Sequence, residues 1–233
     1  MLGMGITMSS IISAHNVSRQ FQSGKDTIYA LKGINMEVEK GKLTILKGRS
    51  GSGKTTLMNL YGALDKPTSG NIFLDNTDIT KLSERQCDRL RRTNIGFVFQ
   101  SVALISMMSA YENIEFGLRV SGYDANKRKA RSEECLHLVG LEKRMHHRPN
   151  EMSGGEQQRV AVARAIAHKP KIVFADEPTA ELDTHMGIQI VKLFKELVLL
   201  EEITVLMTTH DAGMMEVADK IYTLEDGEIV DEC

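Results

Sequence analysis

Nowhere in this 233-residue chain does an apolar run approach the ~18 residues that a bilayer-spanning helix needs, so no segment predicts a membrane span. Met1 to Ser10 carry neither a basic start nor a long apolar stretch, which argues against an export signal, and Met4 and Met8 stand equally as alternative starts. No charge of one sign dominates: 29 Lys and Arg against 31 Asp and Glu leave a formal net charge of −2, and the global basic field that nucleic-acid binding draws on is missing. Cysteine is scarce. Cys87, Cys135 and Cys233 are far apart, odd in number and without metal-ligand spacing, as expected of a reduced cytosolic compartment. Internal repeats, low-complexity tracts and Pro-rich linkers are also lacking. What remains is an ordinary globular composition, 42% hydrophobic, long enough for one large α/β domain with room for a smaller inserted subdomain.

Apolar spacing predicts strands over 11–21 and 34–47, the second broken by a turn at Glu39-Lys40-Gly41-Lys42. The strand Leu43-Thr44-Ile45-Leu46 runs into a glycine-rich loop, and Thr55 onward can begin a helix. Downstream, Asp124 caps a predicted helix reaching Val139 with Gly140 as its stop, and another helix starts near Gly155 and finishes before Pro170. A buried strand over 171–175, a long helix over 184–200 and a strand over 203–208 follow. Asp226-Gly227 then closes a hairpin. Strands alternating with helices imply a largely parallel sheet with a ligand at the strands' carboxyl ends, and the mostly helical 101–168 is the candidate inserted subdomain.

Three segments carry chemistry. Gly48-Arg49-Ser50-Gly51-Ser52-Gly53-Lys54-Thr55, followed by Thr56, has strand before and helix after, the setting in which glycines let backbone N–H groups wrap phosphates. Lys54 there reaches the β- and γ-phosphates, and the Thr55 hydroxyl ligates Mg²⁺. The apolar strand Lys171-Ile172-Val173-Phe174-Ala175 ends in Asp176-Glu177, so a buried strand delivers Asp176 to the metal while Glu177 polarises an attacking water. Paired acids after a strand can also be only a helix cap and its neighbour, but here they follow a full phosphate loop. Ser153-Gly154-Gly155-Glu156-Gln157 opens a helix as a second anion site, about a hundred residues on, where a kinase or GTPase needs none.

With these segments the chain resembles, over essentially its whole length, the ATP-binding subunits of ABC transporters. The resemblance implies a P-loop NTPase (RecA-like) core over about 11–100 and 169–233, an antiparallel β subdomain and an inserted α-helical subdomain over about 101–168. It implies ATP and Mg²⁺ as cofactors, hydrolysis of ATP, and a head-to-tail, ATP-dependent dimer in which Ser153, Gly154, Gly155 and Glu156 contact the γ-phosphate held by the other copy. Met152 stands where Leu is usual. Gly96-Phe97-Val98-Phe99-Gln100 looks like the Q-loop, with Gln100 touching Mg²⁺ or water; a buried structural Gln is the alternative. Ala180-Glu181-Leu182-Asp183 matches the D-loop with Asp183 retained, while Glu181 departs from the usual small residue or Asn and its role stays open. Thr208-Thr209-His210-Asp211 looks like the switch histidine, and Phe21 aligns with the aromatic that stacks on adenine, although an aromatic at a strand end is often core.

The phrasing from Leu90 to Gln100, together with Met152 to Arg159, is similar to the lipoprotein-releasing and macrolide-export subfamily. That implies transmembrane permease partners, no nucleic acid, and a cytoplasmic position on the inner face of the membrane. The cargo expected is peptides, lipoproteins or hydrophobic drugs. Ser106, where Pro is common, and Met107-Met108 depart from the group. A soluble ABC ATPase of the iron–sulfur assembly kind is the rival. The basic groupings Arg89-Leu90-Arg91-Arg92 and Lys127-Arg128-Lys129-Ala130-Arg131 are expected as solvated faces or partner-facing patches.

Overall fold

The computed structural model describes residues 10–24 and 26–233, so the expectation for the first ten residues lies outside it except at Ser10. Two sheets organise the chain. β1 (Ser10–Ser23) and β2 (Asp26–Glu39) form a long antiparallel pair, and β1 also pairs with β4 (Ser69–Leu74), which turns back on the short β5 (Thr77–Asp78). The second sheet is centred on β3 (Leu43–Lys47), with β8 (Thr204–Thr209) and β9 (Lys220–Glu225) parallel on its two sides. Beyond β8 lie β7 (Ile172–Ala175) and β6 (Ile95–Val98), both parallel, and β10 (Glu228–Glu232) closes the other edge antiparallel to β9. The predicted turn at 39–42 therefore separates β2 from β3, and the predicted hairpin at 226–227 is β9–β10.

The central strands are near-continuous apolar runs because both faces are covered. Leu43, Ile45, Val173, Ala175, Val205 and Met207 enter one core with four helices: α3 (Ala110–Ser121), α4 (Arg128–Leu138), α5 (Gly154–Ile166) and α6 (Thr184–Leu200). Their alternates Leu46, Ile172, Phe174 and Leu206 face the other way. That second core contains the inner residues of β1 and β2 (Ile12, Val17, Leu31, Ile34) and of α1 (Lys54–Tyr61). The strand period of two thus splits one sheet between two cores. Three helices, α3 to α5, fall within 101–168. Asp124 caps a short turn of 3₁₀ helix that leads into α4, accepting from the Asn126 N–H, so the expected helix has a two-part entry. Sequence spacing gave no warning of α2 (Glu84–Asn94), whose mean hydropathy is low and whose one buried residue is Cys87.

Among the described residues no helix is long and apolar enough to cross a membrane. All three cysteines are free. Cys135 is fully buried in α4, and burial pushes its thiol up to about 12, which suits a packing role.

The expectation of solvated basic faces fails at Arg131, which is 2% exposed. Its guanidinium donates to the carbonyls of Ile166 (3.1 Å) and Ala167 (2.9 Å) at the end of α5, and it pairs with Glu201 beyond α6 at 2.5 Å and with Glu134 at 2.9 Å. Desolvation is the largest single effect and opposes the charge, but the hydrogen bonds to Glu201 and Glu134 and the neighbouring negative charges together outweigh it and hold the guanidinium more basic than usual. A planar fork meeting two carbonyls and a carboxylate explains why Arg stands here. Arg91 is likewise partly buried, paired with Glu84 at 2.8 Å and donating to the Ala63 carbonyl. Arg131→Met should lower the unfolding free energy in urea by about 3–5 kcal/mol, because it strands a buried Glu201 and two helix-terminal carbonyls.

Candidate active site

Because β3, β8 and β7 are parallel and in register, the residues following them emerge side by side at the carboxyl end of the sheet. After β3 the chain turns through Gly48 to Gly53 into α1. Gly51 and Gly53 have φ of 80° and 109°, a left-handed backbone that glycine adopts without strain. Lys54, the first residue of α1, is 6% exposed, and its ammonium donates to the carbonyls of Gly48 (2.8 Å) and Arg49 (3.1 Å). From β7 come Asp176 and Glu177. The Glu177 carboxylate lies between two cationic or protonatable partners, Lys54 Nζ at 3.2 Å and His210 Nδ1 at 3.2 Å. From β8 come Thr208, whose hydroxyl donates to Asp176 Oδ1 at 2.7 Å and accepts the Glu177 N–H at 2.8 Å, and then His210.

The loop, Lys54, Asp176, Glu177 and His210 wall one cleft of about 760 Å³, a volume suited to a nucleotide. Arg49, Ser50, Gly51, Gly53, Lys54, Thr55, Thr56, Gln100, Asp176, Glu177 and His210 all line it, so the structure brings the glycine loop, Gln100, the paired acids and the histidine together. Ile28, Tyr29 and Ala30 of β2 line it too. Sequence reasoning missed them. Ile28 and Tyr29 are 53% and 54% exposed on their strand, unburied apolar side chains that only the fold reveals. Phe21 faces Ile28 across the β1–β2 ladder, 40% exposed, with the Arg19 guanidinium 4.6 Å above its ring. It stands beside the cleft rather than in its wall.

The loop is braced from outside by the β9–β10 turn, another contribution the motif did not announce. Gly227 N–H donates to the Ser52 carbonyl (3.1 Å), and the Gly227 carbonyl accepts from Lys32 N–H (2.8 Å). Gly48 packs so tightly below this turn that a Cβ would fall 2.3 Å from the Leu224 carbonyl and 2.6 Å from the Ser52 hydroxyl.

Ser153 to Glu156 lie elsewhere. Ser153 caps α5, its hydroxyl accepting from Glu156 N–H (3.2 Å) while the Glu156 carboxylate accepts from Ser153 N–H (2.8 Å). That backbone hydrogen bond holds the Glu156 carboxyl below the usual carboxylate range, and Arg144 adds an ion pair at 3.3 Å. Glu156, expected to contact nucleotide, is engaged here as a cap. Gly155 packs under Met186, and Asp183 caps α6 by accepting from Met186 N–H at 2.9 Å. None of Ser153, Gly154, Gly155, Glu156 or Asp183 lines the cleft of its own chain.

The family model described as ABC transporter matches residues 31–180. The chain belongs to the ABC transporter ATP-binding family. An uncharacterized ABC transporter ATP-binding protein of Methanocaldococcus jannaschii, MJ0796, is 41% identical over 94% of this chain and 95% of its own length. A solved structure described as a dimeric, post-hydrolysis state of the MJ0796 cassette bound to ADP and Pi superposes with a TM-score of 0.86 at 39% identity, covering 95% of this chain and 97% of that one. The macrolide export ATP-binding/permease protein MacB of Vibrio parahaemolyticus is 40% identical over 94% of this chain, which spans 34% of that longer protein. The expected P-loop NTPase fold is thereby shown, with a family cleft at the carboxyl ends of its parallel strands.

For this ABC cassette, Gly48→Ala should weaken ATP binding by about a hundredfold (~2.7 kcal/mol), because the loop must move off the Leu224 carbonyl. Isothermal titration checks it, with unchanged affinity as the contrary result.

Proposed function

We propose that this chain is the ATP-hydrolysing subunit of an ABC transporter that drives a membrane permease in the export or extrusion of peptides, lipoproteins or hydrophobic drugs. One observation carries the catalytic part: Lys54, Asp176, Glu177 and His210 converge on a cleft from which Ser153 to Glu156 of the same chain are absent. The missing half is supplied by a second copy placed head to tail. A relative described as dimeric and bound to ADP and Pi supports both the dimer and the reaction.

Within the cleft, backbone amides of the glycine loop and the Lys54 ammonium bind the β- and γ-phosphates. Adenine lies toward the start of β2, where Tyr29 and Ile28 wall the cleft and Phe21 stands beside it. Thr55 hydroxyl, Gln100 amide and Asp176 carboxylate line the same cleft and are hard oxygen donors, a set that fits Mg²⁺ with its remaining positions left to water and phosphate. When bound, the ion neutralises charge on the phosphates. Glu177 accepts the proton of the water whose oxygen attacks the γ-phosphorus, and ADP leaves as the γ-phosphoanhydride bond breaks. His210, hydrogen-bonded to Glu177, orients that carboxylate and contacts the γ-phosphate. From the facing subunit, Ser153, Gly154 and Gly155 bring the start of α5 to the same phosphate, and Asp183 holds the neighbouring turn.

For the permease, a groove of about 320 Å³ runs beside Gln100, between β6 and α3. Phe99, Phe116 and Val120 are 41%, 42% and 48% exposed there, with Arg91, Arg92 and Arg164 at its walls. We assign it to a helix of the membrane partner, which places the chain on the inner face of the membrane and makes 101–168 the subdomain that moves with the permease. The fused ATP-binding/permease relative supports this.

Glu177→Gln should reduce turnover about 10²- to 10⁴-fold while leaving ATP binding intact, and should trap an ATP-dependent dimer on gel filtration. Wild-type turnover by this variant would remove Glu177 from the role of base.

A further inference from the structure

β8 reads Thr-Val-Leu-Met-Thr-Thr, and every residue in it is buried. Val205, Leu206 and Met207 fill the two cores, yet Thr208 places a hydroxyl at 0% exposure where an apolar β-branched residue of equal volume would fit. The parallel register explains what it meets. Ala175 pairs with Met207, so one step further along both strands Asp176 stands beside Thr208. The single hydroxyl proton goes to Asp176 Oδ1 at 2.7 Å, and a lone pair takes the Glu177 N–H at 2.8 Å. Two consecutive residues of the cleft are thus pinned to one atom of the neighbouring strand. Glu177 has φ of 45°, a left-handed backbone that L side chains adopt only when the surroundings impose it. The Thr208 oxygen is the acceptor that holds its amide there, and Asp176 N–H is fixed from the other side by the Val98 carbonyl at 2.9 Å.

We propose that Thr208 is a positioning residue for ATP hydrolysis, whose hydroxyl fixes the rotamer of Asp176 and the backbone of Glu177 at once. It does not itself line the cleft and acts through those two lining residues, so the inference rests on the roles given to them above. A carboxylate aimed by a buried hydroxyl presents its other oxygen to a cation without reorganising, and a fixed Glu177 backbone keeps its carboxylate at one distance from His210.

The test is a comparison of Thr208→Val, Thr208→Ser and Glu177→Gln in the full chain. Thr208→Val keeps volume and removes both hydrogen bonds, and kcat should fall about ten- to a hundredfold. Binding of a fluorescent ATP analogue in EDTA should be unchanged, because Lys54 and the glycine loop are untouched, while the Mg²⁺ concentration at half-maximal analogue binding should rise. Thr208→Ser, which restores the hydroxyl, should return kcat and the Mg²⁺ midpoint to near wild type. Should Thr208→Val fail to fold, Thr208→Ala carries the same two outcomes. Wild-type kcat and Mg²⁺ midpoint in the variant lacking the hydroxyl would overturn the proposal, as would equal losses in the Ser and Val variants. Glu177→Gln separates the layers: if it is inactive while Thr208→Val is fully active, only the positioning role falls. If Glu177→Gln retains turnover, the roles beneath the proposal fall with it.

Discussion

Three buried parallel strands, β3, β8 and β7, run in register, and the chemistry of the cleft depends on that register. A slip of one residue would turn Asp176 or Thr208 toward the wrong face and would exchange the residues entering the two cores. With both faces of the sheet covered, such a slip would expose or bury the wrong side chain at every position, so the cores on either side hold the strand ends level. The level ends then bring Lys54, Glu177 and His210 within hydrogen-bond reach although they are spread across 157 positions of sequence. Positioning here is a property of packing far from the site.

Much of this was legible in the residues. The glycine loop with strand before and helix after, the apolar strand ending in two acids, and the Ser-Gly-Gly helix start all appear where spacing placed them, because each is a local pattern whose backbone requirements are met by its own residues. The strands of the parallel sheet were legible for the same reason: continuous apolar runs leave few alternatives. What escaped the sequence depends on tertiary neighbours. Tyr29 lines the cleft only because β2 folds over the phosphate loop, and Gly227 braces Ser52 only because the final hairpin lands beside it. Arg131 sits in a run of basic residues that reads as solvated, and its burial is set by the carbonyls at the end of α5 and by Glu201 beyond α6. No pattern local to α4 encodes those partners. At Glu156 the fold adds a local role to the one the family motif suggests, since its carboxylate caps α5.

The two anion sites of the chain differ in how complete they are. The glycine loop has its lysine, its acids and its histidine around one cleft. The start of α5 has a helix end, a capping serine and two small residues, with Leu182 and Met186 packed behind them, and its acid, Glu156, is held in the cap and paired with Arg144. An arrangement with the catalytic groups in one place and the closing surface in another is what the proposed head-to-tail dimer would complete. In the proposed function a shared site also supplies the coupling: closing the cleft and joining the two subunits would be one event, and a permease seated near Gln100 would move with it.

Trans-complementation tests the shared site most directly. Lys54→Ala disables the phosphate loop, and Gly154→Asp places a carboxylate at the helix start, at a position where a Cβ meets only Leu182 at 3.6 Å and the fold tolerates it. Each variant alone should be inactive. Mixed, they form heterodimers with one doubly damaged site and one fully intact site, so ATPase activity should reappear and reach its maximum at equimolar ratio. A mixture no more active than its separate components would contradict the claim that each active site is built from two copies of the chain.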